Sequence, residues 1–400
     1  MTNIYAAIEI GTTRTVLAVG EAETGGRLAL TRHAEIPSAG VRKSQIVNIE
    51  QATHSVRSVL REIERRQGES GDSLTIGNAF LVITGQHVKA DSYQGVVQVE
   101  GGKVGTADIE AVVEESRMMP MPKDRETLDV IDQFYRLDSL VGISSPKGLS
   151  GRVLKLDVLH VHADANRVND AHTAAENAHL ELRDPLFAVT CAADAVLDDA
   201  ERRDGVMVLD LGGGSTGYAV YDGGRIAAAN VFGVGGDHVT NDIAYAFQTT
   251  PAQAEELKRR EASAVVGLDR GATPRVKIPG ASALVEAKTV SRHALETVVN
   301  LRMKEILSMI RHDLEYRDLL HRLNAGVVLT GGGAAMRGLE QLMQREFGVP
   351  VRIGRPQYVD GLSDDDKPWS FAAVAGALMF AHSHYERKSL LGGFFKGLFK

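Results

Sequence analysis

Apolar residues along this chain keep two rhythms. In some stretches they alternate with polar residues or gather in short β-branched blocks, the pattern of strands. In others they return every three or four positions, the pattern of a helix with one buried face. The first rhythm predicts strands at residues 5–19 (a hairpin), 28–36, 79–84, 96–99, 127–137, 152–162, from 186 onward, 206–211, 218–221, 225–231, 264–268, 275–278, 325–330 and 351–353. The second predicts helices at residues 49–67, from 106 onward, 167–179, 192–203, 251–262, 291–316, 339–347 and 370–384. In the first of these helices Ala52, Val56, Val59, Leu60 and Ile63 share one face. Thr106 stands where an N-cap belongs. Residues 37–46 and 142–151 read as loops, and residues 68–73 as a break. The mixture predicts an α/β chain.

The stretch Val206-Met207-Val208-Leu209-Asp210-Leu211-Gly212-Gly213-Gly214-Ser215-Thr216-Gly217-Tyr218-Ala219-Val220-Tyr221 reads as strand, glycine turn, strand. Consecutive glycines let backbone N–H groups face one way and approach a ligand closely, a nest suited to phosphate. Asp210 stands just ahead of the turn, where a carboxylate can hold Mg²⁺ directly or through water. Alone, the stretch suits a plain hairpin with a glycine bend equally well. It has an echo near the N-terminus, Ile8-Glu9-Ile10-Gly11-Thr12-Thr13-Arg14-Thr15-Val16-Leu17-Ala18-Val19. Without a gap, Glu9 falls on Asp210, Gly11 on Gly212, Thr15 on Thr216 and Ala18-Val19 on Ala219-Val220. Two such hairpins, each with an acid ahead of its turn, can clamp a triphosphate and its metal between two domains. Both run from strand to strand. Neither is therefore a P-loop or a dinucleotide fingerprint, which run from strand into helix.

Two further glycine sites follow. In Phe232-Gly233-Val234-Gly235-Gly236-Asp237-His238-Val239-Thr240-Asn241-Asp242-Ile243-Ala244 the glycines open a helix, with Asn241 and Asp242 in its early turns. Its N–H groups and dipole favour an anion, although an ordinary capped helix has the same pattern. The strand at residues 325–330 runs into Gly331-Gly332-Gly333, whose small size leaves room for a flat base or ribose. Between residues 86 and 162 a strand, a helix and two strands form a β-α-β-β module that reads as an insertion in the first domain.

Composition narrows the classes. A chain of 400 residues is long enough for two or more domains with sizeable cores. A net charge of -7 argues against a nucleic-acid binder. The single cysteine, Cys191, excludes an internal disulfide framework and fits a reducing compartment. The first residues lack the pattern of a signal peptide. No apolar run approaches the roughly 20 residues of a spanning helix. His160 and His162 share a strand face without a metal-ligand pattern and read as structural.

The last residues have their own chemistry. On a helix, Leu390, Leu391, Phe394, Phe395, Leu398 and Phe399 share one face, with Lys388, Lys396 and Lys400 around it. An interfacial membrane helix fits this pattern best.

Taken together, the four glycine loops in this order resemble the superfamily of actin, heat-shock chaperone and sugar-kinase ATPases. More narrowly, the run from Gly235 to Ala244, Gly85-Gln86-His87 and the tail resemble the FtsA family of bacterial actin-like cell-division proteins. The resemblance covers essentially the whole chain. It implies an actin-like (ribonuclease H-like) two-lobed ATPase fold with the insertion in the first lobe. The implied division is 1–85 and 163–203 for the main first-lobe subdomain, with 86–162 inserted. The second lobe takes 204–240 and 318–364, with a smaller subdomain at 241–317; a closing helix follows at 365–384 and a membrane tail at 385–400. Implied ligands are ATP and Mg²⁺, with Glu9 and Asp210 at the metal and the reacting end. Gly11, Thr12, Thr13 and Arg14 would hold phosphates with Gly212, Gly213, Gly214, Ser215 and Thr216. Gly235, Gly236 and Asp237 would lie near the nucleotide. Gly331, Gly332, Gly333 and Met336 would border adenine and ribose, and Asn241, Glu255 and Lys258 would approach the base. Implied partners are the FtsZ C-terminal tail, further copies of the chain in a filament, cytoplasmic-membrane lipids at the septum, and other division proteins. Alternatives are a type IV pilus scaffold of related fold, a small-molecule kinase and a chaperone ATPase. The kinase would need a catalytic Asp facing a sugar pocket, and none stands out.

Overall fold

The computed structural model describes residues 4–22, 28–67, 76–268, 271, 273–278 and 287–383. Two sheets organise it, and they are built alike. In the first, Ile4–Ile10, Arg14–Ala22 and Leu28–Pro37 form an antiparallel meander. Asn78–Ile83 and Glu181–Phe187 then extend it in parallel beyond the first strand. In the second, Val206–Leu211, Thr216–Asp222 and Arg225–Phe232 form the meander. Gly326–Thr330 and Val351–Ile353 add the parallel strands. The gap-free echo of the two hairpins is thus an echo of two whole sheets.

Each parallel extension requires a crossover, and helices supply it. Helix Ile49–Gln67 packs Val56, Val59 and Ile63 against the first sheet, all fully buried. Helix Arg292–Tyr316 buries Leu295, Val299, Met303, Ile306, Leu307 and Ile310 in the core of the second lobe. Between the sheets lie helix Ala188–Val196 and a closing helix over residues 372–383. They touch so closely that a Cβ on Gly376 would sit 1.7 Å from the Cys191 carbonyl. Cys191 is buried at this contact.

The insertion has its own small core around Val112, Leu154, Leu156 and Val158. Its sheet has four strands, because Leu140–Ile143, which runs into the start of the region read as loop, pairs with Arg125–Leu137. His162 bridges Asp91 at 2.9 Å and Arg125 at 2.8 Å, a structural role. The insertion also caps the open edge of the second sheet. The Gln133 amide donates to the Ile226 carbonyl at 2.8 Å and the Ala227 carbonyl at 3.2 Å. An edge strand left with bare carbonyls is a pairing hazard, and this contact covers it.

Local chemistry moved several boundaries. The helix expected over residues 192–203 is two helices, Ala188–Val196 and Asp199–Asp204. Asp198 breaks it by accepting from the Glu201 N–H at 2.8 Å and starting a new helix as its N-cap. Thr106 is the first helical residue and Gly105 the cap; the Asp108 carboxylate takes the Gly105 N–H at 2.8 Å. Residues 264–268 are turns, since the Val265 and Gly267 N–H groups go to the side chains of Ser263 and Glu296. A strand missed by the pattern, Lys288–Ser291, pairs with Arg275–Ile278. The chain also re-enters the first sheet early: Val359–Asp360 pairs with the strand Leu28–Pro37, ahead of residue 365.

Candidate functional site

The two hairpin turns close in the same way. The Gly11 N–H donates to the Arg14 carbonyl at 3.0 Å, and the Gly212 N–H donates to the Ser215 carbonyl at 2.9 Å. The matched threonines, Thr15 and Thr216, are both fully buried. The turns come from opposite lobes and touch. A Cβ on Gly213 would lie 2.6 Å from Thr13 Cγ2 and 3.0 Å from Asp237 Oδ1. One on Gly214 would lie 2.3 Å from Thr12 Oγ1. Glycine is required here by proximity to the facing turn.

Glu9 and Asp210 occupy matched positions behind these turns, each one strand residue before the turn begins. Burial, followed by the negative charge of Asp210, pushes Glu9 up to about 7; Arg14 pulls the other way. Burial pushes Asp210 up to about 6, against the pull of Arg14 and a hydrogen bond with Thr330. Two carboxylates that cannot both ionise comfortably are relieved by a cation between them. No cluster of three or more His, Cys, Asp or Glu side chains with metal-binding arrangement occurs among the described residues. The pair therefore suits a hard cation that takes its remaining ligands from phosphate oxygens and water, the habit of Mg²⁺.

Hydroxyls line the contact between the turns. The Ser44 N–H donates to Thr12 Oγ1 at 2.7 Å, and Ser44 Oγ lies 3.1 Å from Ser215 Oγ. Thr84 Oγ1 lies 3.4 Å from the same Ser215 oxygen. Ser44 and Thr84 escaped the sequence reading. The visible signal was the turn Gly40-Val41-Arg42-Lys43, which places Lys43 and Ser44 in the left-handed region at φ 50° and 57°.

The other two glycine loops converge on the second turn. The Gly236 and Asp237 N–H groups donate to the Gly212 and Gly213 carbonyls, both at 2.9 Å. The start of helix Gly236–Ala246 thus props the second turn, and two of its N–H groups are spent doing so. A Cβ on Gly235 would meet the same carbonyls at 2.5 and 2.6 Å. Lys258 Nζ reaches the Gly236 carbonyl at 3.0 Å, Thr240 Oγ1 at 2.8 Å and Glu255 at 2.5 Å. Glu255 and Lys258 therefore sit together at this helix start, and Asn241 is exposed on the residue after Thr240. Gly331, at φ 80°, packs directly on Asp210: a Cβ there would lie 2.3 Å from Asp210 Oδ1. Gly333 packs on Leu211, Gly332 faces open space, and Met336 is half-buried beside them.

Arg14 stands apart from the other phosphate candidates. Its guanidinium pairs with Glu35 and with the Ser370 carbonyl, and lies 5.8 Å over the Phe371 ring. The expected tail contacts of Leu390, Leu391, Phe394, Phe395, Lys396, Leu398, Phe399 and Lys400 lie outside the described residues. Among the described residues, no helix is long and apolar enough to cross a membrane.

Known proteins share this arrangement. A family model described as "Cell division protein FtsA" matches residues 207–376, and one described as "SHS2 domain inserted in FTSA" matches residues 85–162. The cell division protein FtsA of Pseudomonas aeruginosa is 33% identical over 94% of this chain and 89% of its own. Among solved structures, the type IV pilus biogenesis complex PilM-PilN aligns with TM-score 0.65 at 20% identity, over 94% of this chain and 98% of that one. Spiroplasma citri MreB 5 bound to AMPPNP aligns with TM-score 0.53 at 15% identity, over 98% and 99%. These neighbours establish an actin-like fold, and the pilus likeness goes no further than fold. Sequence identity over nearly the full length, together with the matched insertion, decides the family: this chain belongs to the FtsA cell division proteins.

Proposed function

We propose that this division protein binds Mg²⁺-ATP between its lobes and, in that state, assembles into actin-like filaments that tether FtsZ to the cytoplasmic membrane at the septum. One observation carries the reading. Glu9 and Asp210, about 200 residues apart in sequence, stand behind two touching turns, and burial raises both carboxyls, Glu9 further through the charge of Asp210. Mg²⁺ bound there would neutralise the pair and bring phosphate oxygens against the turns. Gly11 to Arg14 and Gly212 to Thr216 then line the triphosphate, with Gly235, Gly236 and Asp237 behind it. Gly331, Gly332, Gly333 and Met336 border the nucleoside, and Asn241, Glu255 and Lys258 stand on its other side. The AMPPNP bound to the MreB neighbour supports this choice of ligand. Binding is the chemistry required, and turnover is not.

The FtsZ tail would dock on the smaller part of the second lobe, residues 241–317. The segment 385–400 would bind anionic lipid through its apolar face and lysines, and other division proteins would join the assembled filament. Electron microscopy of the protein on an anionic lipid monolayer tests the whole. ATP with Mg²⁺ is expected to give membrane-bound filaments that recruit FtsZ. Monomers that ignore both ATP and lipid would refute the reading. The alternative, a pilus-scaffold role, predicts no capture of an FtsZ-tail peptide.

A further inference from the structure

Arg14 ends the first turn, yet its side chain leaves the gap and enters the junction that starts the closing helix. There it is held by Glu35, by the Ser370 carbonyl and by the face of Phe371. The side chain of Arg14 is 23% exposed and that of Glu35 49%. Neighbouring contacts tie the same junction down. His33, two residues from Glu35 on the same strand, bonds Asp366 at 3.2 Å and packs edge-on against Phe371 at 4.9 Å. The Gly331 N–H of the other lobe donates to the Trp369 carbonyl at 3.1 Å. Residues 366–371 are therefore gripped by both ligand-side loops at once. The closing helix follows immediately, over residues 372–383.

The grip is replaceable. Arg14 is close enough to Glu9 and Asp210 for its charge to pull both carboxyls down. A triphosphate arriving at the turn offers several full negative charges and bidentate geometry. Against it stand one half-exposed carboxylate and one neutral carbonyl. When Arg14 turns to phosphate, Ser370 loses a donor, Phe371 its cation and Glu35 its partner.

We propose that Arg14 is a shared ligand: Glu35 and the Ser370 carbonyl compete for it with the phosphate of a bound nucleotide, and its transfer to phosphate loosens the start of the closing helix. Glu35 is then a positioning residue for the nucleotide site, acting through Arg14. The proposal rests on the nucleotide reading above. Linkage makes it reciprocal: anything that holds residues 366–371 loosened raises nucleotide affinity by the same factor.

The test is hydrogen–deuterium exchange of the full chain over residues 366–383, with and without ATP and Mg²⁺, beside ATP titrations by calorimetry. In the unaltered protein ATP is expected to speed exchange across this segment. Glu35→Gln is expected to show fast exchange without ATP and to bind ATP about two- to fivefold more tightly, the range a half-exposed ion pair is worth. Glu35→Asp is expected to restore slow exchange. Phe371→Leu removes the ring while leaving every charge, and is expected to speed exchange as well, which keeps the test open should Glu35→Gln fold poorly. If Glu35→Gln tightens ATP binding with exchange unchanged, the effect is simple charge removal and the shared-ligand idea falls. It falls too if the unaltered protein binds ATP with no change at 366–383, an outcome that leaves the nucleotide reading intact. Failure to bind ATP at all would overturn both.

Discussion

The two hairpins share a register, a closing hydrogen bond and an acid, but their turns are built from opposite materials. The second turn is Gly212-Gly213-Gly214-Ser215, backed by a short Asp and propped by the start of a helix. The first is Gly11-Thr12-Thr13-Arg14, backed by a longer Glu, and its cation is tied to the closing helix. One is a passive cradle in which bare backbone does the work. The other carries side chains that can change partners. Duplicated sheets therefore need not make duplicated roles: in the proposed site one lobe offers bare backbone, and the other offers side chains with alternative partners.

Matched substitutions test this contrast. The largest effect is expected at the aligned pair Gly213 and Thr12. Gly213→Val drives two methyl groups into Thr13 and the facing turn. ATP affinity by calorimetry should fall roughly thirty- to a hundredfold, in line with an overpacking cost of about 1–3 kcal/mol. Thr12→Val loses the bond from the Ser44 N–H, and should cost only about two- to tenfold. Equal losses at the two positions would mean that the turns are equivalent after all.

The acids should give the next largest effect, and a pH signature. Both folded-state values lie above the ordinary carboxylate range. An acid raised in this way binds its proton more tightly when folded. Its contribution to stability is complete below the unfolded value and is lost as pH rises toward about 7. Without nucleotide, the melting temperature should therefore drop between about pH 4 and 7. Asp210→Asn should flatten that drop and abolish the Mg²⁺ dependence of ATP binding. Glu9→Gln should flatten it as well, while weakening Mg²⁺ dependence less because Asp210 alone keeps a carboxylate at the cradle. A pH profile identical in all three proteins would show that neither acid is raised into this range.

The smallest effect is expected one strand away, where the sheets differ by one residue. Asp210 neighbours Thr330 in register, and Glu9 neighbours Val82. Thr330→Val removes the hydroxyl that favours the charged Asp210, and Mg²⁺-ATP affinity should fall about two- to fivefold. Its pH midpoint should move up. The reverse change, Val82→Thr, should move the midpoint down, provided that the hydroxyl reaches Glu9. No shift from Thr330→Val would show that this hydroxyl does not tune the site.

Much of this was legible beforehand. Helices Ile49–Gln67 and Leu339–Phe347 and strand Val351–Ile353 lie where their periodicity predicted. The gap-free match of the two hairpins predicted their common register. Other features left no local trace. The strand Lys288–Ser291 has one lysine, two hydroxyl residues and one valine, too little alternation to stand out. Asp198 looked like one polar residue in a helix until its capping bond split that helix in two. The start of helix Gly236–Ala246 looked ready for an anion, but the neighbouring turn takes two of its donors.

By itself, then, the sequence determined periodicity, turn chemistry and the paired acids, because steric and hydrogen-bonding preferences act within a few residues and repeat wherever the residues do. Tertiary structure decided which groups meet across the gap: Thr13 with Gly213, Gly331 with Asp210, Arg14 with a carbonyl 356 residues away. Partners so distant in sequence are chosen by how two buried sheets and their crossing helices pack, a sum over many weak contacts that no short stretch contains.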